Sequence, residues 1–272
     1  MDKISVLTLV NGRKSALINF LSGLKISTKL PDELVIVFMN EPIGELPQMP
    51  FPVRCFQIFH ENQIPLAAAR NKAANKAEFN SLIFLDVDCI PSKDLISMYA
   101  NNFEPKKLLV GSVRYLNIGA TEQDEFLAKL ESLSKPDPIR KDLPEISYEL
   151  FWSLNFACNK ADYEFIGGFD ENFEGYGAED TDFSFTAREK CIELKTLNAC
   201  AYHQYHASYS PPLNHFADIV SNAERFFAKW NIWPMEGWLK QFVDMGLIFK
   251  KVNHIDILRY PIKSEIDAAL KD

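Results

Sequence analysis

Paired cysteines, long apolar runs, concentrated positive charge and a glycine-rich phosphate loop are all missing from this 272-residue chain, and each absence removes a class of protein. The five cysteines, Cys55, Cys89, Cys158, Cys191 and Cys200, are scattered and form no CxxC pair. Such a set reads as buried thiols in a reducing compartment rather than a disulfide framework. No uninterrupted apolar run approaches the roughly 20 residues a membrane helix needs. The opening MDKISVLTLVNGRK moves straight into a strand pattern without signal-peptide character, so a soluble, cytoplasmic protein is expected. Lys and Arg total 29 against 37 Asp and Glu, for a net charge of −8, and the cations are dispersed. The basic face that duplex binding requires is lacking, which argues against nucleic acid as a partner. LVNGRKSA, after the first strand, holds a single glycine, a poor phosphate loop for a nucleotidyl- or phosphoryl-transfer enzyme.

What remains is a globular composition, 47% hydrophobic, enough to bury a full core. ISVLTLV (4–10), ELVIVFM (33–39), VRCFQIF (53–59), SLIFLD and LLVGSVRYL (108–116) are strand candidates. KSALINFLSGL, PLAAARNKAANKA (65–77) and PSKDLISMYANNF carry helical spacing or helix-start residues. Strands alternating with helices imply βαβ units and a mainly parallel sheet flanked by helices. Past residue 116 the texture changes. TEQDEFLAKLESL reads as a charged helix, SKPDPIRKDLPE as a loop, AYHQYH as strand, and the chain from about Leu213 as a helical, aromatic tail.

The stretch SLIFLDVDCIP (81–91) delivers two carboxylates, Asp86 and Asp88, to the end of an apolar strand. A D-x-D triplet alone is an acidic turn or a metal site. In an α/β sheet, ligands gather at the carboxyl ends of strands, and both side chains reach one small volume there. Hard oxygen ligands suit Mg²⁺ or Mn²⁺ shared with substrate phosphates. An acidic protein that binds an anionic ligand needs such a local cation.

PLAAARNKAANKAEFNSLIFLDVDCIPSKDLI resembles the nucleotide-sugar half of family 2 glycosyltransferases of the GT-A fold, where an ARN-containing helix precedes a strand ending in D-x-D. FWSLNFACNKADYEFIGGFDENFEGYGAEDTDFSF is similar to the acceptor half shared by β-1,4-galactosyltransferases, polypeptide N-acetylgalactosaminyltransferases and chondroitin-polymerase-type enzymes. The likeness spans roughly residues 62–206. It implies a Rossmann-like GT-A domain over 1–212, with a nucleotide-sugar half (1–116) and an acceptor half (117–212), followed by a helical extension (213–272). It also implies metal-dependent transfer from a nucleotide diphosphate sugar, UDP-linked first of all, to a glycan, glycolipid or lipid-linked hydroxyl with inversion. A retaining transferase or a non-catalytic glycan-binding protein on the same fold stays open.

On that resemblance, Asp86, Asp88 and His203 are the expected ligands of Mn²⁺ or Mg²⁺, with Asp86 also near the donor ribose. His206, three residues on, is the weaker candidate, because on a strand this spacing faces opposite sides. Thr8, Asn11, Arg13, Asn40 and Glu41 lie where strand-end groups hold the nucleotide base, and Arg70 and Asn71 match the family helix. The chain has FMNEP where many relatives carry an acidic pair, which leaves the base open. Trp152, Asn155, Glu179 and Asp182 are expected near the acceptor, with helix capping the plainer reading of the two acids and a core aromatic that of Trp152. Asp180 matches the base that takes the acceptor's proton. Gly167 and Gly168 serve the backbone. The tail aromatics Phe226, Phe227, Trp230, Trp233 and Trp238 close a core, or touch a membrane if the acceptor is lipid-linked.

Overall fold

The computed structural model describes residues 2–61 and 63–271. Its first half alternates as read: β1 (Ile4–Val10), α1 (Lys14–Lys25), β2 (Glu33–Met39), β3 (Val53–Ile58), α2 (Leu66–Lys76) and β4 (Ser81–Leu85). There follow β5 (Cys89–Pro91), α3 (Leu95–Ala100), β6 (Lys107–Leu116), β7 (Ser134–Pro136), β8 (Asn155–Asn159), α4 (Lys160–Ile166), α5 (Glu179–Glu189), β9 (Glu193–His203) and β10 (Ser208–Tyr209). The tail holds α6 (Phe216–Trp230), α7 (Glu236–Asp244), β11 (Ile248–Lys250), β12 (Ile255–Ile257), α8 (Lys263–Ala269) and β13 (Leu270–Lys271).

One nine-stranded sheet runs β3-β2-β1-β4-β8-β6-β9-β5, with β7 beside β6. β1, β2 and β4 are buried on both faces, as parallel strands covered by helices must be. Odd-numbered residues such as Leu7, Leu9, Val35 and Val37 pack with the alanines of α2 and with Phe156, Phe169 and Phe183. Even-numbered partners such as Val6, Ile36 and Phe38 pack against α1 and α3.

The sheet is less uniform than the alternation suggests, because β8 runs antiparallel between β4 and β6. That reversal builds the site. Leu85 at the end of β4 pairs with Asn155 at the start of β8, and the Asp86 amide extends the ladder to Leu154 O at 3.0 Å. β5 then pairs with β9, Cys89 opposite His203. The turn at 86–88 is therefore clamped on both sides by strands distant in sequence.

Three expectations are corrected. TEQDEFLAKLESL forms two 3₁₀ turns, Ala120–Glu122 and Phe126–Ala128, rather than a helix. Its apolar residues serve a sheet face instead, Leu130 packing with Ile90, Leu116, Ala120 and Tyr202; Glu125 sits at φ 54° and breaks any continuous helix. The helix in PSKDLISMYANNF is shortened to Leu95–Ala100, since Pro91 closes β5. The tail is helical but adds two strand pairs, β11 with β12 and β10 with β13.

The tail builds its own core from Phe216, Ile219, Leu239, Phe242 and Leu247 among others, and Phe226 joins Phe173, Ala178 and Phe185 of the preceding half. Its aromatic stripe is spent on packing: Trp233 and Trp238 lie against that core, and Phe227 stacks on Trp233 at 4.3 Å. No helix among the described residues is long and apolar enough to cross a membrane.

Candidate functional site

Two groups of polar side chains meet at the carboxyl ends of the central strands. The first surrounds Asp88, whose carboxylate is largely buried. His203 Nε2 lies 3.5 Å from Asp88 Oδ1, and His206 Nε2 3.8 Å from Oδ2. One ligand atom from each of Asp88, His203 and His206 falls within 4.8 Å of the others. Arg13 Nη1 also reaches Asp88 Oδ2 at 2.9 Å. One carboxylate and two imidazoles are a donor set suited to a divalent ion such as Mn²⁺.

Gln204 holds this group in place. Its amide donates to Asp88 O at 2.7 Å, its Nε2 donates to Ala16 O, and its Oε1 accepts Asn19 Nδ2. Sequence reasoning passed over Gln204 and ranked His206 low. The alternation argument fails for His206 because β9 ends at His203. Residues 204–207 are loop, free to turn the second imidazole back toward Asp88.

The second group surrounds Arg70, only 4% exposed. Its Nη1 donates to Glu179 Oε1 at 3.2 Å, and its Nη2 lies 3.7 Å from Asp86 Oδ1. Its guanidinium stands over the Phe169 ring at 5.0 Å. Asp86 thus leaves the expected metal triad: it faces Arg70, while His206 takes the place beside Asp88. Asp180 is next in line. Its Oδ1 accepts the Thr181 amide and hydroxyl at 2.7 and 3.4 Å, and Oδ2 has no hydrogen-bond partner among the described residues.

Three carboxylates around one buried cation cannot all ionise easily. Burial pushes Asp86 up to about 6, against the pull of Arg70. Burial and the charge of Glu179 push Asp180 up to about 7. Burial works against the Arg70 cation, yet Asp86, Glu179 and Asp180 together raise its pKa.

A left-handed bend presents the acids of α5: Gly175, Gly177 and Ala178 have φ of 71°, 101° and 70°. At Gly175 a Cβ would lie 2.4 Å from Asp218 Oδ2, so the tail presses on the bend too closely for any side chain. Asn222 Nδ2 donates to the carbonyls of Glu174 and Tyr176, and Tyr176 stacks on His215 at 4.6 Å. The tail thereby braces the segment that leads into Glu179 and Asp180.

The other expected residues divide sharply. Arg13 joins the Asp88 group. Asn11 Nδ2 donates to Met39 O at 2.8 Å, and Glu41 Oε2 accepts the Gly12 amide at 2.7 Å, so these two tie the loops after β1 and β2 together. Asn40 likewise binds Gln63 O and the His60 amide. Thr8 is buried with its Oγ1 unpartnered among the described residues. Asn71 is occupied with structure rather than turned to a donor. Its Oδ1 accepts Tyr163 OH and the Phe169 amide, and its Nδ2 donates to Phe169 O and Glu171 Oε1.

Two acceptor expectations are corrected in the same way. Asn155 is 1% exposed, donating to Ser112 O and Ala199 O and accepting Tyr99 OH; a buried amide inside the sheet must find such partners. Asp182, also 1% exposed, accepts Lys229 Nζ and Trp230 Nε1 and docks α6 onto α5. Trp152 carries the Arg140 guanidinium on its ring at 4.2 Å.

Comparison with known proteins agrees with this architecture. Residues 55–229, more than half of the chain, match the family described as "Glycosyltransferase like family 2". The fold is similar to residues 1–349 of S. aureus TarS, at 16% identity and TM-score 0.56, over 83% of this chain and 65% of that one. It is similar to GalNAc-T7, crystallised with UDP, GalNAc and Mn²⁺, at 16% identity and TM-score 0.57, over 90% and 57% of the two chains. It is also similar to the mannosyltransferase PcManGT from Pyrobaculum calidifontis in complex with GDP-Man and Mn²⁺, at 14% identity and TM-score 0.56, over 90% and 69%. At such identities the likeness establishes the GT-A fold. The chain spans 65% of the TarS fragment and 57% of GalNAc-T7. No curated protein matches it.

Proposed function

Since the chain belongs to the glycosyltransferase family 2-like proteins, we propose that it moves a sugar from a nucleotide diphosphate sugar to a hydroxyl of a glycan, glycolipid or lipid-linked acceptor, with a divalent metal and inversion. The observation that carries this reading is the meeting of the two halves: Arg70 of the first, itself beside Asp86, contacts Glu179 of the second, next to the Asp88–His203–His206 cluster.

Asp88, His203 and His206 would hold the ion, which supplies Lewis-acid stabilisation of the departing diphosphate when bound. Arg13, already at Asp88, adds a cation for the same anionic group. Arg70 keeps Asp86 and Glu179 in place, and Asp86 faces the donor side. Asp180 is the base. Its free Oδ2 accepts the hydroxyl proton as the acceptor oxygen attacks the anomeric carbon, and a pKa raised to about 7 gives it the basicity that general-base catalysis at neutral pH favours. Because neighbours bind UDP or GDP-Man, both nucleotides are candidates for the donor.

The test is release of nucleoside diphosphate from a panel of UDP- and GDP-sugars, first with Mn²⁺ and then with EDTA. Hydrolysis to water suffices, without an identified acceptor. Metal-dependent release from one donor, abolished in Asp88→Ala, is expected. Neither release nor metal-dependent nucleotide binding with any donor would overturn the reading.

A further inference from the structure

A second polar cleft lies on the other side of the β6–β9 pair. Arg114 and Tyr202 are register partners, as are Tyr115 and His203, and alternation turns the first pair to the face away from the second. The cleft between this face and residues 131–146 measures about 690 Å³, within the size range of small-molecule sites. Ser112, Thr196 and Asn198 place hydroxyl and amide groups along it. No residue of the donor, metal or base groups lines it.

Its wall contains an arginine held ready for a ligand. Arg140 is 8% exposed. Its Nε contacts Asp137 Oδ2 at 2.8 Å, and Asp137 is itself fixed by the amides of Ile139 and Arg140. The Trp152 ring backs the guanidinium at 4.2 Å. Both Nη groups are without a hydrogen-bond partner among the described residues, and Nη2 is buried in that condition. With Nε held and both Nη groups unpartnered, the guanidinium lacks the anionic acceptor that a carboxylate or phosphate supplies. Arg114 and Lys141 line the same cleft. Of its acids, Asp137 is paired with Arg140, Asp94 accepts Thr28 Oγ1 at 2.9 Å, and Glu131 is exposed.

We propose that this cleft binds a saccharide carrying an acidic group, its carboxylate or phosphate on Arg140 and its hydroxyls on the Ser112–Asn198 wall. The inference does not depend on the transferase reading. It assigns Trp152 a positioning task, holding the arginine flat, rather than direct contact with an acceptor at the Asp180 side.

Saturation-transfer NMR with glucuronate, glucose 6-phosphate and glucose tests it on the full chain. Binding of an acid probe without binding of glucose is expected, and the tighter acid tells carboxylate from phosphate. The signal survives Asp88→Ala, which separates it from the diphosphate site. It weakens about tenfold or more in Arg140→Met, the loss of a charge-assisted pair. Because Arg140→Met strands Asp137, Asn198→Trp serves as a second variant: Asn198 is exposed, and the indole fills the cleft without disturbing the core. Equal binding of glucose, binding unchanged by both cleft variants, or no acid probe bound at millimolar concentration would each overturn the proposal; in the last case Arg140 donates to water only.

Discussion

Two acidic stretches, Asp86-Val87-Asp88 after β4 and Glu179-Asp180-Thr181-Asp182 at the start of α5, look alike in composition and diverge completely in surroundings. In the first, two carboxylates one residue apart face opposite partners: Asp86 turns to Arg70, Asp88 to Arg13 and two histidines. In the second, Glu179 is tied to Arg70, Asp182 is tied to Lys229 and Trp230, and Asp180 has no ion-pair partner among the described residues. Charge count does not distinguish a ligand, a base and a strut. What is packed against each carboxylate does.

Breaking the second stretch at its free member gives the largest expected effect. Asp180→Asn removes the proposed base while keeping the shape, so transfer falls by about 10²–10⁴-fold with donor and Mn²⁺ binding retained, as nucleotide titration and initial rates would show. In the wild type the rate rises with pH through about 7, because the base acts ionised. A flat profile there would remove Asp180 from the role.

Arg70 joins the two stretches, and its removal strands both. Arg70→Met leaves Asp86 and Glu179 without their buried cation, a loss of about 3–5 kcal/mol by urea denaturation, with the pKa of Asp86 moving further up. Asp182→Asn is milder, about 1–3 kcal/mol, since the half-exposed Lys229 returns to water. Activity per folded molecule stays unchanged, which sharpens the contrast with its neighbour Asp180.

The smallest effect is in stability against pH. The Asp180 carboxyl titrates near 7 in the folded chain against an ordinary 3.8, so between those values the folded state holds more protons than the unfolded one. Its contribution is fully present below about 4 and is lost as pH rises through about 7; Asp86, raised to about 6, acts in the same direction. Thermal melts should therefore show Asp180→Asn gaining on the wild type from pH 4 to pH 8. A constant difference would mean that Asp180 is solvated like an ordinary surface acid.

Much of the site was legible before folding. SLIFLDVD shows a strand ending in acids, GYGAEDTDF a glycine bend opening an acidic helix, and these patterns rest on local backbone preferences. What was misread shares one cause. TEQDEFLAKLESL has helical spacing, but its apolar residues are claimed by Ile90 and Tyr202 across the sheet. Asn71, Asn155 and Asp182 have the side chains of binding residues, but their partners Phe169, Ala199 and Lys229 consume them.

The sequence by itself therefore determined the strand-and-helix order, the strand end that bears Asp86 and Asp88, and the acids that open α5, because each depends on neighbours a few residues away. Only the tertiary structure decided which of those acids sits beside two imidazoles, which lacks an ion-pair partner and which is a strut. Those roles are set by pairs such as Arg70 with Glu179, 109 residues apart, and Asn19 with Gln204, 185 apart. A side chain's charge, hydration and reach are fixed by what is packed against it, and no local pattern specifies that partner.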